Sequence, residues 1–514
     1  MAAVHTEAAA IFGGNLVNEA EDSIKFVPYR PIGVYDSKSP ITFTIPGNSS
    51  QYVSLRDSYL VVQCHVQETD STGKPVKSEG GGGRMTAGLK THQEIIEMQN
   101  EAARRYIKYE AAQKEADEYS GDDEQERERL VTTAESLNAF ALASMKEFLA
   151  EQHKHREVEG LNGSIIPVDN VLHSMWNGVD ISMNHTLIST TNKKYMYKAY
   201  IETLLNNSAS TKKYQLQSQG YFGDSGHKDL DFNLSFNKGM EKRYHAFAQG
   251  KKCLMMGYLL SDIMGIQASI VNGVQIDITL FPNPDAIRVQ CFGNKEHGAL
   301  VIDDIYFMVC KRQMSKELIV AHAEVLEETP AAYPYKDADV RGFNAHTGQT
   351  LVTIESPYES KIPTRLLVGM VNAEAYNGSF KLSPLNFKHY NISDASFKID
   401  NESIAKPPYK INIKENKFIE PLMELYSVMG KKGEDKDIGI TEEEFLDGTF
   451  LVPFDCTPTS SANMEYLSKK EGGKCTLELQ FAHALPEEIV VLTYAIFPAE
   501  LNIDAARNCS VRFL

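Results

Sequence analysis

Short runs of β-branched and alternating apolar residues recur through most of the chain, each bounded by Gly, Pro, Asn or Asp. Ile41–Ile45, Tyr59–Val66 and Val274–Leu280 carry the pattern in the first half. Leu351–Ile354, Arg365–Val371, Thr449–Phe454, Cys475–Phe481 and Ile489–Phe497 carry it in the second. A period of two sends successive side chains to opposite faces, so each run predicts a strand. No helical pattern alternates with these runs. A doubly wound parallel sheet is therefore disfavoured, and sandwiches or jelly rolls are favoured. With 514 residues the chain is long enough for two large β domains. Helices are expected at Tyr197–Leu205 and at Phe418–Met429, each midway through its half. The halves thus share a layout of strands, a helix, then more strands. The segment Glu324–Pro334, with its two prolines, is the expected linker.

One block departs from this texture. Four glycines, Gly80–Gly83, form a flexible joint. Residues 91–159 beyond them are almost free of Gly and Pro. Ile95, Met98 and Ala102 share a helical face, and Leu130, Ala134, Leu137, Ala141, Met145 and Phe148 repeat at three- and four-residue spacing. Ser120 and the acids Asp122 and Asp123 supply a break, a cap and a first turn. The pattern predicts an α-helical hairpin inserted in a loop of the first β domain. Leu130, Leu137, Phe140, Ala141, Phe148 and Leu149 would pack within it or against a neighbour.

The charge is uneven. The whole chain carries a net -17, which repels phosphate backbones and argues against binding nucleic acid through bulk charge. Residues 91–160 hold 17 acids and 9 bases, so almost half of the excess sits in about a seventh of the length. The β body is only mildly acidic, which leaves room for local basic spots. No sequence-specific nucleic-acid binding is expected. The seven cysteines are dispersed without a C-x-x-C pair, and the first residues have no secretory pattern. Buried thiols in a reducing compartment follow. No apolar stretch approaches the roughly 18–20 residues of a membrane span.

The usual chemical motifs are missing. There is no P-loop, zincin helix, nucleophile elbow or dinucleotide fingerprint. His153 and His155 point to different faces of a helix and do not chelate easily. The acidic run from Gly433 to Glu444 resembles a calcium loop only faintly, with Gly433 where Asp is needed and Ile438 where the turn needs Gly. The lysine pairs at 193, 212, 251 and 431 read as solvated turns. Asp303–Asp304 and Glu487–Glu488 read as strand neighbours pointing oppositely, not as acid–base pairs. The sole tryptophan, Trp176, lies among alternating apolar residues and reads as core packing or a subunit contact. No catalytic residue, metal or cofactor is expected.

Several longer strings carry a resemblance. Pro167–Trp176, Val179–Asn184 and Tyr195–Leu205 resemble the first half of major capsid proteins of Polinton/Maverick elements, adintoviruses and related adenovirus-lineage double-stranded DNA viruses. Tyr376–Phe380, Pro384–Tyr390, Ser396–Asn401 and Pro407–Tyr409 resemble the second half. The resemblance runs patchily from about Pro31 to Leu514, and the acidic hairpin departs from it. It implies a mainly β fold of two adjacent eight-stranded jelly rolls, a double jelly roll. It implies a homotrimer that looks hexagonal and tiles an icosahedral virion shell, with penton and minor capsid proteins as further partners. The matching positions Trp176, Asn184, Tyr197, Tyr200, Asn377, Pro384, Phe387, His389 and Tyr390 become candidates for packing or subunit contact. The expected domains are an N-terminal arm at 1–30, a first jelly roll at 31–328 containing the insertion at 80–160, and a second at 329–514. The hairpin would project from the outer face as a clasp or decoration. Competing readings are a non-viral β-sandwich scaffold or carbohydrate binder, an enzyme on a β scaffold, and a minor capsid or penton protein.

Overall fold

The computed structural model describes residues 21–33, 36–76, 164–224, 228–229, 237–292, 295–404, 406–435, 437–463 and 472–513, with further positions between 98 and 146. They fall into two compact units. One comprises residues up to 74, 165–290 and 297–514, and the other comprises 75–164 with 291–296.

The first unit holds both jelly rolls. The strands of the first are β1 (Glu21–Tyr29), β2 (Ile41–Ile45), β3 (Gln51–Glu68), β4 (Trp176–Met183), β5 (Thr186–Thr190), β6 (Cys253–Gly257), β7 (Ile276–Pro282) and β8 (Gly298–Met314). Those of the second are β9 (Ala331–Ala345), β10 (Leu351–Glu355), β11 (Arg365–Asn372), β12 (Ile392–Ile399), β13 (Glu402–Ser403), β14 (Leu451–Asp455), β15 (Cys475–Phe481) and β16 (Ile489–Ile503). The first sandwich pairs its strands as β1-β8-β3-β6 over β2-β7-β4-β5. The second repeats this order as β9-β16-β11-β14 over β10-β15-β12-β13. All these pairs are antiparallel. The two halves therefore share one topology, although their sequences show no residue-level repeat.

Alternation explains the layers. In β2, Ile41, Phe43 and Ile45 are buried while Thr42 and Thr44 bond across to Thr279 and Asp277 on β7. Phe43 meets Phe307 of the facing sheet with ring centroids 6.0 Å apart. In the second sandwich Phe397 and Phe454 play the same part at 5.9 Å. Facing sheets thus interdigitate about a closed apolar layer. Gly369 on β11 is required by close approach, since a Cβ there would lie 2.6 Å from a ring carbon of Phe387.

Four helices matter below: α1 (Tyr195–Asn206), α2 (Lys238–Phe247), α3 (Lys316–Glu328) and α4 (Ile419–Val428). The expected helices at 197–205 and 418–429 correspond to α1 and α4, and these occupy the same connection, fifth strand to sixth, in each sandwich. Every residue of α1 but the last is buried, so it is enclosed on all sides where a surface helix buries one stripe.

Several expectations need correction. Residues 21–29, assigned to the arm, form β1, because Ser23–Tyr29 pair continuously with β8 and a bulge separates Glu21 from Ser23. The linker at 324–334 is the end of α3 and the start of β9, leaving only Thr329 and Pro330 outside. Glu487 and Glu488 lie before β16 rather than on it, where Tyr390 donates to Glu487 at 2.7 Å and Glu488 pairs with His346 at 3.3 Å. Glu444 closes a capping box with Thr441. Lys212 is no solvated turn residue, since its Nζ donates to the carbonyls of Leu204 at 3.1 Å and Ile438 at 2.5 Å. Burial pushes this amine down to about 8.

In the second unit, the described positions Met98, Glu101, Arg104, Arg105, Lys108, Tyr109, Ala111 and Ala112 are helical, as are Arg129, residues 131–133, Leu137, Ala143, Ser144 and Lys146. Arg105 donates to Ser144 at 2.5 Å, which joins the two helical stretches. Leu137 is half-buried. The expected packing residues Leu130, Phe140 and Phe148, the glycine run and His153 and His155 lie outside the described residues.

Candidate functional site

The joint between the two jelly rolls concentrates the buried polar chemistry of the molecule. Tyr195 and Ala199, one turn apart on α1, enter the first core. Met196, Tyr197, Tyr200, Ile201 and Leu204 enter the second. Tyr197 stacks on Tyr376 at 5.6 Å, and Tyr200 stacks on Phe387 at 6.1 Å. Pro384 is buried in the same segment as Phe387. Strings from the two halves of the chain thus meet at one place, and α1 acts as the key between two sandwiches.

Buried charges surround this key. The Lys198 ammonium pairs with Glu202, with Asp262 at 2.9 Å, and donates to the Leu260 carbonyl at 3.1 Å. Tyr494 on β16 donates to Glu202 at 3.1 Å, and Asp262 accepts the Ala338 amide of β9 at 3.1 Å. Burial alone would lower the Lys198 amine, but Asp262 and Glu202 outweigh it and hold it above its ordinary value. The Asp337 carboxyl is pushed up to about 7, first by burial and then by Asp262, with Lys198 opposing. Burial also raises Glu202.

A raised carboxyl binds protons in the folded state that the unfolded chain has already released. Its stabilising contribution is full at low pH and is lost as pH rises from about 4 to 7. Asp337→Asn is therefore expected to flatten the fall in stability across this window. At neutral pH it should stabilise by on the order of a few kcal/mol. Urea unfolding of both proteins at pH 5 and pH 8 checks this, and parallel profiles would contradict it.

A second network lies beside the first. Arg243 of α2, fully buried, pairs with Asp169 at 3.2 Å and Asp224 at 2.9 Å, and its Nε donates to the Pro167 carbonyl at 2.9 Å. Asp169 also accepts the amides of Phe222 and Gly223 at 2.9 and 3.1 Å. Lys228, fully buried, donates to Tyr200 at 2.9 Å and to the carbonyls of Leu385 at 3.0 Å and Gly448 at 2.7 Å. It ties the first sandwich's long connection to the second sandwich. With neutral acceptors only, burial holds its amine below the usual value.

The remaining candidates are dispersed. Trp176 is fully buried in the first core, and its indole N–H has no hydrogen-bond partner among the described residues. Asn184, in the left-handed region at φ 45°, caps the β4–β5 turn. It donates to the Arg507 carbonyl at 2.7 Å and accepts the Gln275 amide at 2.8 Å. Arg507 in turn bonds Asn272, so this is a second clamp between the sandwiches. Asn377 is exposed. His389 accepts the Asn391 amide at 3.0 Å, and burial lowers its imidazole. Asp303 and Asp304 take separate partners, His65 with Lys252 and Arg30. Among the described residues no group of acids, histidines and cysteines could hold a metal, and no helix is long and apolar enough to cross a membrane.

No family model matches the chain. A protein of Caenorhabditis elegans, uncharacterized protein F54H12.2, is 25% identical over 351 residues, covering 66% of this chain and 80% of that protein. Among solved structures, a chain of the Sputnik virophage determined by cryo-EM is similar with a TM-score of 0.57 at 9% identity. The match covers 98% of this chain and 90% of that one. PBCV-1 VP54, fitted into a reconstruction of Sputnik, is similar with a TM-score of 0.50 at 7% identity, covering 98% and 100%. At such identities the likeness is one of fold, and it extends over both sandwiches. The protein is a double jelly roll.

Proposed function

We propose that this chain is the major capsid protein of a double-stranded DNA virus or of an integrated element of viral descent. One observation carries the reading. Two jelly rolls of identical strand order are locked by a buried helix into one body, and that whole body has the fold of a virophage chain. Rigid closed sandwiches with their polar groups spent on an internal joint suit a building block more than a catalyst. Three copies, each supplying two similar domains, form a pseudo-hexagonal capsomer, and capsomers tile an icosahedral shell. Penton and minor capsid proteins are the further partners, and the virion is the location. The Polinton–adintovirus–adenovirus lineage is supported by the strings around Trp176, Tyr200 and Phe387 and by a relative encoded in a nematode. The domains we propose are a first jelly roll to residue 328, beginning at β1, and a second from 329. Trp176 packs the first core, Tyr197, Tyr200, Pro384 and Phe387 form the joint, Asn184 clamps it, and His389 and Tyr390 brace the segment that carries Phe387. Exposed Asn377 is left for subunit contact. Light scattering of the purified protein tests the oligomer: the expected mass is three times the 57.4 kDa chain, and a monomer at all concentrations would contradict it.

A further inference from the structure

The seven cysteines are dispersed along the sequence, yet the fold sets two of them face to face. Cys64 on β3 and Cys253 at the start of β6 are directly opposed in the antiparallel register. On β6, Leu254 and Met256 are exposed and Met255 is buried, so by alternation Cys253 points inward with Met255. Cys64 is fully buried in the first core, and Cys253 packs against the same core. The thiols are close enough to interact, since Cys253 is the second cause, after burial, that raises Cys64. Opposed residues of antiparallel strands have Cα atoms about 4.5–5.5 Å apart. Disulfides span about 4.4–6.8 Å between Cα atoms. The pair therefore lies within bridging distance without a change of register.

The two partners differ in access. Cys253 is half-buried, whereas the other six cysteines are buried. Its Sγ donates to the Ala246 carbonyl of α2 at 2.9 Å, a weak bond that rotation about one side-chain torsion gives up. Lys251 beside it partly offsets the burial that raises this thiol. β6 is the edge strand of its sheet, paired with β3 on one side. Its first residue can thus move toward Cys64 without breaking a second ladder. Cys456 and Cys475 also lie near each other, but both are buried and neither offers an oxidant an entry.

We propose that Cys253 is a site of thiol–disulfide exchange, that Cys64 is its resolving thiol, and that exchange closes a disulfide between β3 and β6. The oxidant is a small disulfide of the glutathione class. The Cys253 thiolate attacks one of its sulfurs, which gives a mixed disulfide and releases one thiolate. The Cys64 thiolate then attacks the Cys253 sulfur, closes the cross-strand bond and expels the second thiolate. Two protons pass from the protein thiols to the two leaving groups, and two electrons reduce the small disulfide. The closed loop holds α1, Lys228 and Arg243, which are the first sandwich's share of the joint. Closing so long a loop restricts the unfolded chain and stabilises the folded one. The inference stands apart from the capsid reading, because it needs a single chain only.

The test incubates the full chain, purified reduced and kept folded, with glutathione disulfide, then quenches and unfolds it. Of the seven thiols, two should disappear, and peptide mapping by mass spectrometry should join Cys64 to Cys253. The oxidised protein should unfold at higher urea than the reduced one, and dithiothreitol should restore the lower midpoint. Cys64→Ser should stop at the mixed disulfide and hold one glutathione per chain at Cys253. Cys253→Ser should keep its remaining thiols. Seven thiols surviving in the folded parent, or two lost with other cysteines joined, would overturn the proposal. So would a Cys253→Ser protein that still loses two. The parent measurement needs no variant, so it decides the matter even where a substitution prevents folding.

Discussion

Arg243→Met is expected to lower the unfolding free energy by about 3–5 kcal/mol, the usual cost of stripping one partner from a buried ion pair. The guanidinium is fully buried between Asp169 and Asp224. Its removal leaves two carboxylates in a site that water does not reach. Both must then take up protons or draw the loop out of place. The raised position of Asp169, driven first by burial and opposed by Arg243, shows how close that balance already is. The loss also frees the Pro167 carbonyl, to which the Arg243 Nε donates at 2.9 Å. A triple variant carrying Asp169→Asn and Asp224→Asn as well should recover part of the loss, because it removes the stranded charges. Urea unfolding measures both. An Arg243→Met protein within about 0.5 kcal/mol of the parent would show that the network does not hold this end of the joint.

Trp176→Ala should cost about 3–5 kcal/mol by opening a large cavity in the first core. Trp176 is fully buried on β4, opposite Pro282 of β7. Trp176→Phe should cost much less. It keeps most of the apolar volume and removes an indole N–H that has no partner among the described residues. As the chain has one tryptophan, its emission reports the first sandwich directly. The parent should emit at short wavelength and shift red in a single step with urea. Equal destabilisation by Ala and Phe would show that a polar role, not volume, keeps this residue.

The strands were legible wherever one face was buried. Ile41–Ile45 and Cys475–Phe481 match their predicted limits because period-two burial leaves a plain trace. The helices α1 and α4 were legible through their apolar spacing. Glu21–Tyr29 was missed because it opens on Glu21, Asp22 and Ser23, carries Lys25 and Pro28, and leaves its apolar Ile24 and Phe26 exposed, so it leaves no core-facing stripe. The joint was half legible. Tyr197, Tyr200, Phe387 and Pro384 were singled out through resemblance, and the structure brings them together. Asp262, Lys228, Arg243 and Asp169 carry no local signal, since their partners lie tens to hundreds of residues away. A charged residue inside an apolar helix, such as Lys198 beside Glu202 in α1, is the one trace that could have found them.

Electron microscopy of the purified protein tests the central claim most directly. A double jelly roll that builds a shell should appear as three-chain particles of hexagonal outline, which join into sheets or closed icosahedral shells as concentration rises. Isolated single chains under the same conditions, with the fold intact by circular dichroism, would contradict a capsid role.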